Sequence, residues 1–131
     1  MDLIQALRKS LSTIEGLSAD VKIGYMVPDD AIGVYPLPGS TTLDEDWAGN
    51  KTKRMNYEVS IRTKNQQLAN SVIWKISDYL EQLDHLESAD GSFEFEQIKQ
   101  NGLPSLIEQD TEGNVVYMLD FYVEVVTNNR K

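Results

Sequence analysis

Near the end of the chain, Val115, Tyr117, Leu119, Phe121, Val123 and Val125 place an apolar side chain at every second position. That is the period of a β-strand with one buried face. The alternate positions carry Asp120 and Glu124 among Val116, Met118 and Tyr122, and a strand this long and this apolar is expected to lie centrally in a sheet. From Met55 onward the same period recurs more briefly, with Tyr57, Val59 and Ile61 alternating with Glu58, Ser60 and Arg62. Between these two stretches the period changes to that of a helix. In "NQQLANSVIWKISDYLEQLDHL", Leu68, Val72, Ile76, Leu80 and Leu83 share one face, Ile73 and Tyr79 broaden it, and Asn65 stands where an N-cap belongs. Ile4, Leu7, Leu11 and Ile14 predict a first helix over about 3–15, with Asp2 as its cap and Gly16 as its stop.

The remaining elements are shorter. Extended segments are expected near 21–26 and 31–36, separated by Pro28-Asp29-Asp30, and Pro36, Pro38 and Gly39 end the second. After the long helix, "ADGSF" reads as a turn and "FEFEQI" as a strand. "QNGLP" carries the Asn-Gly pair favoured in tight hairpins, with Pro104 at the start of the strand "SLIEQ", and "DTEGN" turns into the last strand. The expected fold is α+β: a mostly antiparallel (mixed) sheet of about five strands with two helices packed on it. The 131 residues are expected to form a single domain.

One stretch resists this scheme. "VYPLPGSTTLDEDWAGNKTKR", from Val34 to Arg54, is turn-rich and polar, acidic in its middle and basic at its end. It is expected to be a long mobile loop at about 37–54, longer than a connection between neighbouring strands requires. Trp47 is its anomaly, a large apolar side chain in the most polar part of the chain. It either folds back on the domain or serves as an anchor in a neighbouring subunit, since Trp is enriched at interface hot spots.

Composition narrows the partners. Twelve Lys and Arg against 21 Asp and Glu leave a net charge of −9. Such a surface disfavours non-specific binding to nucleic acid or to anionic membranes, which depends on cations displacing counterions. There is no cysteine, so neither a disulfide framework nor a thiolate metal site can form. "MDLIQALRKSLSTIEG" has charges at Asp2, Arg8 and Lys9 and no uninterrupted apolar core, and is expected to be neither signal peptide nor anchor. No run approaches the length of a membrane-spanning helix.

Candidate chemistry is sparse. His85 is the single histidine, so triads and histidine zinc sites lack their parts, and it reads as a helix-end residue. Asp29 and Asp30, with Asp44, Glu45 and Asp46, are the carboxylate clusters open to a cation, but neither has the ligand spacing of a calcium loop. "GSTT" lacks the lysine of a phosphate loop, and "KTKR" is too short for a nucleic-acid patch on so acidic a chain. The expectation is a protein without catalytic residues and without a cofactor.

Read as an ordered set, "VYPLPG", "NYEVSIRTKNQQLANSVIWKISDYLEQL", "LESADGSFEF" and "PSLIEQDTEGNVVYMLDFYVEV" resemble the minor capsid proteins of tailed bacteriophages related to tail terminator (head–tail joining) proteins. The likeness spans about residues 20–127, and "DGSFEF" and the closing D-x-x-G-x-x-V-Y-x-L-D pattern are its most specific parts. The resemblance implies a tail-terminator-like fold and a structural virion protein at the tail–head junction, assembled in the host bacterial cytoplasm. It implies a ring, typically of six copies, that caps the tail tube, stops its polymerisation and joins it to the head. The implied partners are other copies of the chain, the tail-tube protein and a head-completion or connector protein, with DNA passing through the lumen unbound and no membrane involved. For assembly, Asp44, Glu45, Asp46, Trp47, Lys51, Lys53 and Arg54 are the candidate contact residues, the acidic and basic ends of the stretch meeting their opposites on adjacent subunits.

Three other readings stay open from sequence. One is a different neck component, such as a head-closure or connector protein. Another is a small enzyme or metal-binding module built on Asp29, Asp30 and residues 44–46. The last is a host-side soluble interaction domain with no viral role.

Overall fold

The computed structural model describes residues 2–17, 20–24, 30–109 and 111–127, and for residues 107 and 108 the backbone alone. Tyr25, Met26, Pro28, Asp29 and Asp110, which the sequence places at a strand end and in turns, lie outside the described residues. The elements are α1 (Leu3–Leu11), β1 (Val21–Ile23), β2 (Ile32–Pro36), β3 (Thr41–Glu45), β4 (Lys51–Thr63), α2 (Gln66–Gln82), β5 (Glu94–Gln100), β6 (Ser105–Gln109) and β7 (Val115–Thr127). The class is the α+β expected, with a mixed sheet. Among the described residues the sheet has seven strands, because a strand lies inside the expected loop and the short segments each pair separately.

Two thirteen-residue strands, β4 and β7, form the centre, paired antiparallel from Lys51↔Thr127 to Thr63↔Val115. Since β7 occupies one whole side of β4, the other side is shared end to end by β2, opposite residues 57–61, and β3, opposite 51–54. The free side of β7 is divided in the same way between β5, opposite 121–126, and β6, opposite 115–118. Each long strand therefore has a two-part neighbour with a short interruption, at 37–40 on one flank and 101–104 on the other. Parallel β1 adds to β2 and makes the sheet mixed.

The interruption at 101–104 corrects one expectation. Asn101-Gly102 does not turn a hairpin: β5 and β6 run in the same direction along β7, and the Asn101 N–H donates to the Asp120 carbonyl at 2.9 Å. A two-residue type I′ turn needs positive φ at both central residues, and neither Asn101 nor Gly102 has it. The pair serves as a detour in a continuing edge.

Residues of odd number on β4 and β7 face the helices. Val59, Ile61, Leu119, Phe121, Val123 and Val125 are almost wholly buried there, and the Tyr57 ring stacks on that of Phe121. Against them α2 sets Val72, Ile73, Ile76 and Leu80, and α1 sets Leu3, Leu7 and Leu11. Burying side chains of this size stabilises the fold by about 1.5–3 kcal/mol each. The Asn65 side chain accepts from the Leu68 N–H at 3.1 Å, capping α2 as its sequence predicts. Where α2 crosses β5, the Ser77 hydroxyl donates to Gln100 Oε1 at 2.6 Å and Gln100 Nε2 donates to the Ser77 carbonyl at 2.9 Å. A polar pair in the core is tolerated because each partner satisfies the other.

α1 stops at Leu11, short of the predicted residue 15. The Ser12 N–H and hydroxyl both donate to the Arg8 carbonyl, at 3.0 and 2.8 Å, and the Thr13 N–H and hydroxyl both donate to that of Ser10, at 3.1 and 2.6 Å. From Thr13 on, the amides reach back three residues instead of four, with Ile14 N–H on the Leu11 carbonyl, so the helix tightens and ends there. Asp2 occupies the cap position but makes no side-chain cap bond. Its carboxylate instead accepts from the Ser88 hydroxyl at 2.7 Å, the Ala89 N–H at 2.7 Å and the Ser92 hydroxyl at 3.1 Å. It pins the start of the chain to the "SADGS" turn, and these bonds, led by that from Ser88, hold its pKa below the ordinary value. A bond from Ser10 Oγ to the Tyr79 hydroxyl, 2.6 Å long, ties α1 to α2, so both helices cover the same face of the sheet.

Candidate functional site: the ribbon tip and the open sheet face

The expected loop at 37–54 contains β3 and the first four residues of β4, joined by a turn over 46–50. It escapes the strand pattern because every residue of β3 is exposed, so neither face of the ribbon requires an apolar period. Thr41 and Thr42 supply β-branched residues, and Leu43, 45 % exposed, sits at the bulge between Thr42 and Asp44. Gly39, at φ +97°, opens the ribbon in a conformation that side chains other than glycine's rarely adopt.

The tip is organised by Asp46. Its Oδ1 accepts from the N–H groups of Ala48 and Asn50, each at 2.9 Å, and its Oδ2 accepts from Asn50 Nδ2 at 2.9 Å. The Asp46 backbone closes the turn, with its N–H on the Asn50 carbonyl and its carbonyl taking the Gly49 N–H. Bonds from Asn50, side chain before backbone, hold the Asp46 carboxyl below the usual range. Asp46 thus shapes the turn, whereas Asp44, among the described residues, accepts only from the adjacent Glu45 N–H.

Trp47 rides on this turn with a relative exposure of 107 %. Of its two sequence readings, folding back on the domain is excluded. The basic residues divide by strand face. Lys51 lies 3.6 Å from Glu45 across the ribbon, an exposed pair of small energetic weight. Lys53 has no ion-pair partner among the described residues. Arg54 is engaged within its own chain: Nη2 and Nε reach Glu124 Oε1 at 2.7 and 3.1 Å, and the guanidinium lies 4.3 Å from the centre of the Tyr122 ring. Gln97 Nε2 donates to the other oxygen of Glu124. These bonds, Gln97's first, lower the pKa of Glu124, and Glu124 raises that of Arg54. The structure therefore gathers Asp44 to Arg54 in one ribbon but commits the Arg54 side chain to Glu124 and Tyr122 of the sheet face.

The face opposite the helices holds features that the sequence did not single out. Glu58 and Asp120 oppose each other in register, and the Tyr35 hydroxyl donates to Glu58. Beside them a recess of about 240 Å³ is bounded by Asn101, Leu103, Ser105 and Met118. Leu103 and Leu106 leave 68 % and 43 % of their surface in solvent on the adjoining edge. A second groove, of about 470 Å³, lies between the end of α1 and β1. The polar positions of the β4 and β7 alternation are the only trace of the carboxyl pair in sequence, and they do not reveal the register.

The metal reading fails on geometry as far as the described residues go. Asp30 bonds to the backbone of Arg62, at the far end of β4 from Asp44, which pairs with Thr52. Ten residues of strand separate them by roughly 30 Å. No group of three or more His, Asp or Glu that could hold a metal occurs among the described residues. His85 lies beyond the end of α2 with its ring edge-on to Phe95. No helix among the described residues is long and apolar enough to cross a membrane.

A family model described as bacteriophage tail terminator protein matches residues 20–127, which takes in every strand and α2. The chain belongs to that family. It is accordingly a structural protein of a bacteriophage tail, a component of the virion. No curated protein matches the chain significantly. Among the described elements, α1 alone falls outside the stretch that the tail terminator model covers.

Proposed function

We propose that this tail terminator family member assembles into a ring, with six copies the expected number, that caps the tail tube, ends its polymerisation and joins the tail to the head. The observation that carries the reading is Trp47, a tryptophan held wholly in solvent at the tip of an ordered ribbon. A side chain of that area left in water is accounted for by burial in another molecule. The partners are neighbouring copies, the tail-tube protein below and a head-completion protein above. The acidic surface suits a lumen that DNA must traverse without adhering, because like charge opposes capture of phosphate. Catalysis and cofactors have no part in this role. The site of action is the tail–head junction, with assembly in the host cytoplasm.

Electron microscopy of the purified protein mixed with tail tubes tests the proposal. A ring seated at one tube end, accompanied by co-purification with the tube protein, is the expected result. Bare tube ends with both components folded would refute it, and co-purification with the portal alone would move the protein to another place in the neck.

A further inference from the structure

A closed ring of identical subunits needs two unlike, complementary patches on each. The ribbon tip is one: Trp47, with Asp44 and the weakly held Glu45 beside it. Its complement lies at the other end of the same flank of the sheet. There the groove of about 470 Å³ is lined by Arg8, Ser12, Asp20, Val21, Lys22 and Ile23. Ile23, 43 % exposed, offers an apolar wall, and the exposed cations Arg8 and Lys22, with Lys9 in the same last turn of α1, outnumber the one acid, Asp20. Lys51 offsets Glu45 and Lys53 lies further down the ribbon, so the charge at the tip itself is that of Asp44 and Asp46. Those carboxylates, beside an aromatic anchor, find a basic groove with an apolar wall. The two cannot meet within one chain. β1 is in register with Ile32–Val34, which pair with residues 59–61 of β4, whereas the tip lies beyond Lys51. About ten residues of extended strand hold them roughly 30 Å apart.

We propose that the ribbon tip of one copy docks in the α1–β1 groove of the next, with Trp47 against Ile23 and Asp44 facing Arg8 and Lys22. The inference rests on the ring reading above and specifies its subunit contact. Arg8 and Ser12 lie outside the stretch matched by the family model, so α1 completes a groove that the matched residues alone would leave open.

The absence of cysteine makes cross-linking a direct test. Ala48→Cys and Ser12→Cys in one chain put a thiol at the tip and a near-isosteric one in the groove. On tail tubes, under mild oxidation, the double variant should give a non-reducing ladder climbing past dimer to the ring size, because docking brings the two backbones within disulfide reach. Each single variant should stop at dimer or below. In a second arm, Trp47→Ala should weaken subunit association at least about 30-fold, the scale of a hot-spot loss, with thermal unfolding unchanged. Rings of the double variant that yield no ladder, or Trp47→Ala rings that form at wild-type concentration, would overturn the docking while leaving the ring intact. Wild-type protein that forms no ring, free or on tubes, would bring down the ring reading and this contact together.

Discussion

Glu58 on β4 and Asp120 on β7 are direct cross-strand partners on the sheet face opposite the helices, and Tyr35 donates its hydroxyl hydrogen to Glu58. Two carboxyl groups this close cannot both ionise cheaply. Glu58 is pushed from the ordinary 4.5 up to about 7, chiefly by desolvation and then by its hydrogen bond with Asp120, while the Tyr35 bond pulls the other way. The folded protein therefore keeps this proton to a higher pH than the unfolded chain does. Between about 4.5 and 7 it binds more protons, so stability falls as pH rises through that window. Glu58→Gln should flatten this part of the urea-stability profile. At pH 8 it should exceed wild type by about 1 kcal/mol, a figure discounted for the solvent that reaches the pair. Asp120→Asn should move the window toward 4.5, and Tyr35→Phe should move it upward. A profile identical in wild type and Glu58→Gln would count against a proton held on Glu58.

Glu124 is the reverse case, a carboxylate held charged by Gln97 and Arg54 and only 8 % exposed. With its folded pKa lowered, its contribution is present above the unfolded pKa and is lost as pH falls through the folded one. Arg54→Met should lower the melting temperature by a few degrees at pH 7, since it leaves that carboxylate short of its cation and takes a guanidinium off the Tyr122 ring. As pH falls below the ordinary carboxylate range and Glu124 takes up its proton, the difference should shrink, which thermal melts across pH will show. Because Arg54 is committed within its own chain, the same substitution should affect assembly less than Trp47→Ala does.

The cap of α2 gives a local test. Asn65→Ala removes the acceptor for the Leu68 N–H and should cost about 1 kcal/mol in urea unfolding. Asn65→Asp keeps the acceptor and adds negative charge at a helix N-terminus, so it should be neutral or stabilising. A loss of equal size in both variants would mean that the side-chain bond contributes little.

How much of this was legible beforehand depended on whether burial left a period in the sequence. The inward residues of β7, from Val115 to Val125, and the α2 stripe from Val72 to Leu80 could be read because one face of each meets the core. β3 could not, since Thr41 to Glu45 are exposed on both faces and leave no alternation to detect. The end of α1 was overrun because Ile14 keeps to the apolar stripe and is still partly buried, while the backbone has already tightened to three-residue bonds at Thr13 and Ile14, with the Ser12 and Thr13 hydroxyls bonded to the last carbonyls beside them. Asn101-Gly102 misled because the dipeptide permits a tight turn without compelling one. Trp47 could be flagged as anomalous from sequence. The groove that we propose receives it joins α1 to β1, and the pairing of Glu58 with Asp120 depends on a register set across the whole sheet; neither leaves a local signal.

The last prediction separates two acids that sequence grouped together. Asp46 shapes the tip, so Asp46→Ala should release the Ala48 and Asn50 N–H groups and speed their hydrogen exchange by about tenfold or more. Asp46→Asn retains an acceptor at Oδ1, and the Asn50 amide can rotate to donate or accept as needed, so exchange at those two amides should stay near wild type. Asp44 makes no comparable set of bonds, and Asp44→Lys should leave the turn amides protected. If the tip acts through its shape and Trp47, Asp46→Asn will assemble on tail tubes and Asp46→Ala will not. If charge at the tip matters as well, Asp44→Lys will assemble poorly with its turn intact, and the further change Lys22→Asp will restore assembly. Asp46→Asn that fails on tubes while its turn amides remain protected would show that the charge of Asp46, and not its geometry, is what a partner reads.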